Sequence, residues 1–223
     1  MGSIPTSNNT ASPAPEQQAI GDTAQTDKHR GHRWIWFVTG PTACGKTTIA
    51  QALADDVDFT FIEGDDFHPQ ASVEKMSHGL PLTDADRAGW LAALRSHETA
   101  QPAGSARGAK LPHLVMTCSA LKQGYRDVLR EGGAHAGDLR IRFVLLDASE
   151  AELVRRAAGR EGHFAGPELV RSQMAALERP GEGEADVVVV DTEGRGVGDT
   201  VREVVTRVRE GMMMDDGSYL KVL

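Results

Sequence analysis

The apolar positions of this 223-residue chain follow two rhythms. Short, continuous apolar runs occupy residues 34–39, 59–62, 113–117, 141–146 and 186–190. They do not alternate with polar residues, which is the pattern of strands buried on both faces. Between or after them, apolar residues recur every three or four positions over 46–55, 86–97, 121–130, 150–160, 167–177 and 197–210, which predicts helices. This alternation predicts an α/β domain built on a doubly wound parallel sheet. Residues 1–30, rich in Ser, Thr, Pro, Ala and Gln, cannot offset their ordering entropy by burial and predict a disordered arm. Residues 101–109 predict a flexible insertion and 131–137 a loop; the pattern fades from 211, so the domain is drawn at 31–213 with 214–223 as a peripheral tail.

The first strand runs into a specific motif. Gly40-Pro41-Thr42-Ala43-Cys44-Gly45-Lys46-Thr47 is G-x-x-x-x-G-K-T, and Thr48 continues into the first helix. After a strand and opening a helix, these letters describe a phosphate-binding loop. Glycines at both ends let the loop curl with its N–H groups inward, and the helix N-terminus adds a positive dipole end. Lys46 then reaches the β- and γ-phosphates of ATP, and Thr47 places its hydroxyl on Mg²⁺. Residues 40–48 are thus the expected nucleotide site. Cys44 lies beside the helix N-terminus and Lys46, surroundings that lower a thiol pKa, although a small packing residue suits the position better.

Composition narrows the partners. A net charge of −8 argues against broad nucleic-acid or anionic-membrane binding, both of which need basic surface. Two cysteines, Cys44 and Cys118, make no disulfide framework and point to a reducing, cytoplasmic setting. No run approaches the roughly 18 apolar residues of a membrane span, and no signal-peptide pattern opens the chain. Met1-Gly2-Ser3-Ile4-Pro5-Thr6 matches the short myristoylation pattern.

A second constellation follows the second strand: Glu63-Gly64-Asp65-Asp66-Phe67-His68-Pro69, then Lys75-Met76, Gly79-Leu80-Pro81-Leu82 and Asp84-Ala85-Asp86-Arg87-Ala88-Gly89-Trp90-Leu91. Carboxylates at the C-terminal end of a parallel strand face the crevice where open α/β sheets bind ligands. There they can accept a hydroxyl proton or help to hold Mg²⁺. Asp84 or Asp86 also suits a helix N-cap. The clustering of acids with His68, Lys75 and Arg87 favours a site over separate surface charges.

This stretch resembles the signature of gluconokinases, the ATP-dependent kinases that make 6-phosphogluconate. Thr117-Cys118-Ser119-Ala120-Leu121-Lys122 with Tyr125-Arg126-Asp127-Val128-Leu129-Arg130 is similar to the family's CSALK-x-x-YRD-x-LR. Arg156-Ala157-Ala158-Gly159-Arg160-Glu161-Gly162-His163-Phe164 resembles its lid, and Ser172-Gln173 and Leu177-Glu178-Arg179-Pro180 follow in the family order. The resemblance spans 34–193. It implies a five-stranded fold of the nucleoside-monophosphate-kinase type with a mobile lid at about 150–180. The implied reaction phosphorylates D-gluconate at its C6 hydroxyl, with a product that feeds the pentose phosphate pathway. Glu63 is then expected near the metal and Asp65 on the acceptor hydroxyl, while Asp66 has no assigned role. His68, Lys75 and Arg87 are expected to face the substrate. Lys122 and Arg126 face substrate or phosphate, or else a solvated helix face. Arg156 and Arg160, four apart on a helix, share one face and can neutralise charge on the transferred group, whereas His163 and Phe164 pack the lid hinge. Departures are Ser72, where the family often has Asn, Gly89, where it often has Pro, a loop less rich in Ser and Gly, and Ala165 after the lid Phe.

Three other readings compete: a kinase for another polyol acid such as shikimate, a GTPase-type switch, and an inactive relative. Asp191-Thr192-Glu193-Gly194 matches the D-x-x-G of switches, but it follows the last strand, and no N-K-x-D appears. Lys46, Thr47, Asp65 and both lid arginines argue against inactivity. Oligomeric state, including a homodimer, is left open.

Overall fold

A computed structural model describes residues 32–78, 80–99, 111–134, 138–159 and 166–215. The expected N-terminal arm, the 101–109 insertion, Arg160, His163 and Phe164 lie outside the described residues.

All seven residues of β1 (Arg33–Thr39) are buried, as a continuous apolar run requires. The strand lies at the centre of the sheet, parallel to β3 (Leu114–Thr117) on one side and β4 (Leu139–Asp147) on the other. With β2 (Thr60–Ile62) and β5 (Val187–Asp191) outside them, the five strands run β2-β3-β1-β4-β5, all parallel.

Alternate residues of β1 serve opposite layers. Trp34, Trp36 and Val38 pack with α1 (Lys46–Val57), α5 (Glu150–Ala158), α6 (Pro167–Ala176) and α7 (Val197–Asp215). Ile35 and Phe37 pack with Trp90, Leu91 and Leu94 of α3 (Asp84–Thr99) and with Tyr125 and Leu129 of α4 (Gln123–Ala134). Helices on both faces of a parallel sheet bear out the doubly wound expectation. The C-terminal ends of the strands therefore open on one crevice.

Several boundaries differ from those read in the sequence. The segment after β2 holds a 3-10 turn over Gly64–Phe67 and a further helix, α2 (Gln70–Ser77). Only Ser72 of α2 is buried, so the helix carries no apolar stripe to announce it. α3 starts at Asp84, two residues earlier than expected, behind a reciprocal cap. The Thr83 N–H donates to Asp86 Oδ2 at 2.8 Å, and the Asp86 N–H donates to Thr83 Oγ1 at 3.3 Å. α4 continues to Ala134, into the stretch expected to be a loop. α5 ends at Ala158, and the expected pairing of Arg156 with Arg160 lies outside the described residues. α7 continues to Asp215: Gly211 and Met212 are buried, and Arg142 Nε donates to Asp215 at 2.9 Å, so the last helix runs two residues past the expected boundary at 213.

Arg126 also departs from expectation. Its side chain is 2% exposed and forks onto Glu184, itself 4% exposed, with Nε–Oε1 and Nη2–Oε2 distances of 2.7 and 2.6 Å. Arg130 joins from the next turn, bonding Glu184 at 2.7 Å and Asp186 at 2.7 Å. Arg126 thus holds α4 to the segment entering β5 and presents no surface to a substrate. Breaking a buried pair strands a charge. Arg126→Met is expected to lower unfolding free energy by about 3 kcal/mol, read from the denaturant midpoint, while KM values of the folded enzyme stay within about twofold. The hydrogen bond from Arg126, helped by Arg130 and opposed by burial, pulls the Glu184 carboxyl from its ordinary 4.5 to about 2. A depressed carboxyl contributes stability above its unfolded pKa and loses it as pH falls through the folded one. The wild-type protein should therefore lose stability between pH 4.5 and 2 more steeply than Arg126→Met.

Candidate active site

The phosphate loop forms because Gly40 and Gly45 take left-handed backbone, with φ of 133° and 98°. A Cβ on Gly40 would stand 2.6 Å from Leu146 O, so the first loop position excludes a side chain on space as well as conformation. Gly45 caps α1 and has no side chain to occupy the first-turn N–H groups, which remain for an anion. Lys46 Nζ folds back over the loop, donating to Gly40 O at 3.2 Å and Pro41 O at 3.1 Å. Cys44 is 3% exposed and packs in the core beside Ile49, as a packing residue does. Thr47 and Thr48 are exposed.

The strand-end acids meet this loop. Thr47 Oγ1 donates to Glu63 Oε2 at 2.8 Å, and Thr117 Oγ1 donates to the other oxygen of the same carboxylate. Thr117 Oγ1 also accepts the Gly64 N–H at 2.9 Å, and Trp90 Nε1 donates to Gly64 O at 2.7 Å. Gly64 is thus held on both sides. A Cβ there would come within 1.8 Å of Thr117 O, a backbone atom that cannot swing aside. Gly64→Ala is expected to cost about 1–3 kcal/mol and to lower kcat by displacing Glu63, measured by thermal melting and steady-state rates. A hydroxyl and a carboxylate oxygen side by side are hard-cation donors, so Thr47 and Glu63 fit Mg²⁺ chemically.

Asp65 is exposed, two residues past Glu63. The His68 ring, with Nε2 3.6 Å from Oδ1, is the largest influence on its carboxyl; with Lys46 it outweighs burial and holds the group below its usual range. Asp66 is exposed. The His68 side chain is only 4% exposed, stacked on Trp90 at 4.2 Å, so it offers almost no surface to a substrate.

Two of the remaining cations, Lys75 and Lys122, pair with acids of α3. Lys75 Nζ lies 2.6 Å from Asp86 Oδ1, a contact that, with the Thr83 bonds, holds the Asp86 carboxyl well below the ordinary range. Lys122 Nζ sits 2.8 Å from Asp84 Oδ2, and the Tyr125 hydroxyl donates to Asp84 as well; both lower the Asp84 carboxyl. Arg87 donates to Leu82 O at 2.5 Å and lies 5.8 Å from the Tyr125 ring centroid. The structure therefore gathers Lys75, Arg87 and Lys122 at the N-terminal ends of α3 and α4, and leaves Arg126 out of the group.

On the other side of the phosphate loop is a cavity of about 390 Å³, lined by Cys44, Thr48, Arg155, Arg156, Thr192 and Arg195 among others. Arg156 is held there by Glu152 at 2.7 Å and by Thr192 O at 2.5 Å. The D-x-x-G match resolves into a turn after β5 that forms this wall, with Thr192 Oγ1 donating to Asp147 O at 3.1 Å. Thr192, Arg195, Thr117 and Gln173 are the residues that sequence reasoning passed over. Gln173 Oε1 accepts the Thr42 N–H at 2.6 Å, joining α6 to the phosphate loop. Its place in the Ser172-Gln173 motif was the available signal. In the Leu177-Glu178-Arg179-Pro180 motif, Glu178 accepts the Gln123 N–H at 2.7 Å, and Arg179 forks onto Asp147 at 3.0 Å.

A phosphate loop hydrogen-bonded to a strand-end carboxylate is arranged for phosphoryl transfer to a small acceptor, and the chain is a kinase of the P-loop class. A family model described as an AAA domain matches residues 35–180. Probable gluconokinase of Schizosaccharomyces pombe is 40% identical over 167 residues, covering 73% of this chain and 81% of that protein. Gluconokinase of Gluconobacter oxydans is 45% identical over 170 residues, covering 76% and 88%. The crystal structure of a gluconokinase from Sinorhizobium meliloti superposes with a TM-score of 0.67 at 36% identity, covering 83% of this chain and 99% of that one. The chain belongs to the gluconokinase family.

Proposed function

We propose that the enzyme transfers the γ-phosphoryl group of ATP to the C6 hydroxyl of D-gluconate, giving 6-phospho-D-gluconate and ADP for the pentose phosphate pathway. The observation that carries this reading is the 2.8 Å contact between Thr47 and Glu63, which sets the loop that holds phosphate against the strand end that offers Asp65. Names of relatives that match along most of the chain supply the acceptor.

Residues 40–48 hold the phosphates, and the cavity beside Arg155, Arg156 and Thr192 takes the nucleoside. Thr47 and Glu63 would hold Mg²⁺, which neutralises phosphate charge when bound. Lys46 leaves its two loop carbonyls for the phosphates. Lys75, Arg87 and Lys122 receive the carboxylate and hydroxyls of gluconate, Arg87 being the one suited to a planar carboxylate. Asp65 orients the acceptor hydroxyl and takes its proton. Arg156, with Arg160 from outside the described residues, offsets charge on the transferred group. A cytoplasmic location fits the two cysteines, both buried. No helix among the described residues is long and apolar enough to cross a membrane.

ADP release measured across a panel of sugar acids and polyol acids tests the reading. Gluconate is expected to give the highest kcat/KM, with phosphorus coupling in the product NMR spectrum confined to the C6 protons. Preferred turnover of shikimate or another acid, or phosphorylation at a different carbon, would overturn it.

A further inference from the structure

Asp65 is an exposed carboxylate, and its own side chain is 69% accessible. A group so placed can rotate away from its acceptor unless something holds it. The only side chain in ion-pair range of it among the described residues is His68, whose Nε2 lies 3.6 Å from Asp65 Oδ1. The ring is fixed by its surroundings. It stacks on Trp90 at an interplanar angle of 14°, and the same indole donates to Gly64 O, the residue before Asp65. The His68 N–H also donates to Asp65 O at 3.2 Å, closing the turn. Nδ1 is buried and has no partner, so Nε2 is the nitrogen left to carry the proton toward the carboxylate.

We propose that His68 is a positioning residue: its Nε2–H holds the Asp65 carboxylate in the orientation that meets the acceptor hydroxyl, and the ring does not touch substrate. The resemblance places His68 against gluconate; its burial places it behind Asp65 instead. The proposal rests on the reading of Asp65 as proton acceptor. Small misplacements of a reacting group are costly, about 10²-fold for 1 Å.

Two substitutions separate the donor from the stack. His68→Phe keeps a ring on Trp90 and removes Nε2–H, whereas His68→Gln keeps an N–H at about the reach of Nε2 and removes the ring. His68→Phe is expected to lower kcat by about 10–100-fold with KM for ATP and gluconate within about threefold, and His68→Gln to recover most of kcat at a lower melting temperature. In the Asp65→Asn background, His68→Phe should cost nothing further. Wild-type kcat in His68→Phe, or a larger loss in His68→Gln than in His68→Phe, would make the ring a packing element and overturn the proposal while leaving Asp65 as acceptor. Near wild-type kcat in Asp65→Asn would overturn the reading of Asp65 and the proposal with it. If His68→Phe does not fold, His68→Gln decides alone: retained kcat supports the proposal and lost kcat overturns it.

Discussion

Lys46→Ala is expected to lower kcat by about 10²–10³-fold while the protein keeps its fold. In phosphoryl transfer the protein does little covalent chemistry; it positions the groups and compensates charge. Lys46 is the cation built into the phosphate loop, and its ammonium is parked on Gly40 O and Pro41 O. Those two carbonyls hold it on the loop without neutralising it, so it is available when phosphate arrives. An alanine would leave the loop N–H groups and the α1 terminus in place, so ATP still binds, more weakly. What is lost is charge compensation on the β- and γ-phosphates as bond order to the leaving oxygen falls. Stability should move little, because the side chain is only half-buried and among the described residues bonds the loop's own backbone. Steady-state rates with and without saturating ATP, beside a thermal melt, separate these effects. A variant that melts like wild type and turns over at a similar rate would remove Lys46 from the mechanism.

The phosphate loop was legible because its chemistry is local. Strand, glycines, lysine and helix lie within 33–57, and each is dictated by neighbours in sequence. The same holds for the five strands, whose continuous apolar runs need no partner to be recognised. The cap of α3 was half-legible: Thr83 and Asp86 have capping-box spacing, yet Asp86 also takes Lys75, eleven residues away. What the sequence did not show is pairing at a distance. Arg126 reads as a free cation until Glu184, 58 residues on, is brought to it. Thr117 reads as the end of a strand until it meets Glu63, 54 residues before it. Gln173 is one polar residue of an amphipathic helix until it reaches Thr42, 131 residues away. α2 escaped for a different reason, since a helix lying on the surface with a lone buried serine has no period to read.

Asp65→Asn is expected to lower kcat by about 10²–10⁴-fold and to leave ATP binding nearly unchanged. Glu63 ends the extended segment and Asp65 stands in the 3-10 turn that follows, not on the strand as the spacing predicts, so one carboxylate is offered to Thr47 and the other lies exposed beside His68. His68 and Lys46 hold the Asp65 carboxyl below its usual range, so it stays ionised at neutral pH but is a weak base. A weak base suits a loose transition state, in which the acceptor oxygen is still largely protonated as the phosphoryl group leaves ATP. The carboxylate then acts first by accepting a hydrogen bond that aligns the hydroxyl, and takes the proton late. Asparagine keeps the size and can still accept that bond through its carbonyl oxygen, but it cannot take the proton, which is why the loss should stop short of inactivity. In the proposed site the phosphates are held by 40–48, none of which bonds the Asp65 side chain among the described residues, so the Kd for ATP should stay within about twofold. The neighbouring carboxylate provides the control. Asp66 is exposed and only follows Asp65 into the turn, so Asp66→Asn should keep most of kcat. If Asp66→Asn loses activity and Asp65→Asn keeps it, the proton acceptor is Asp66.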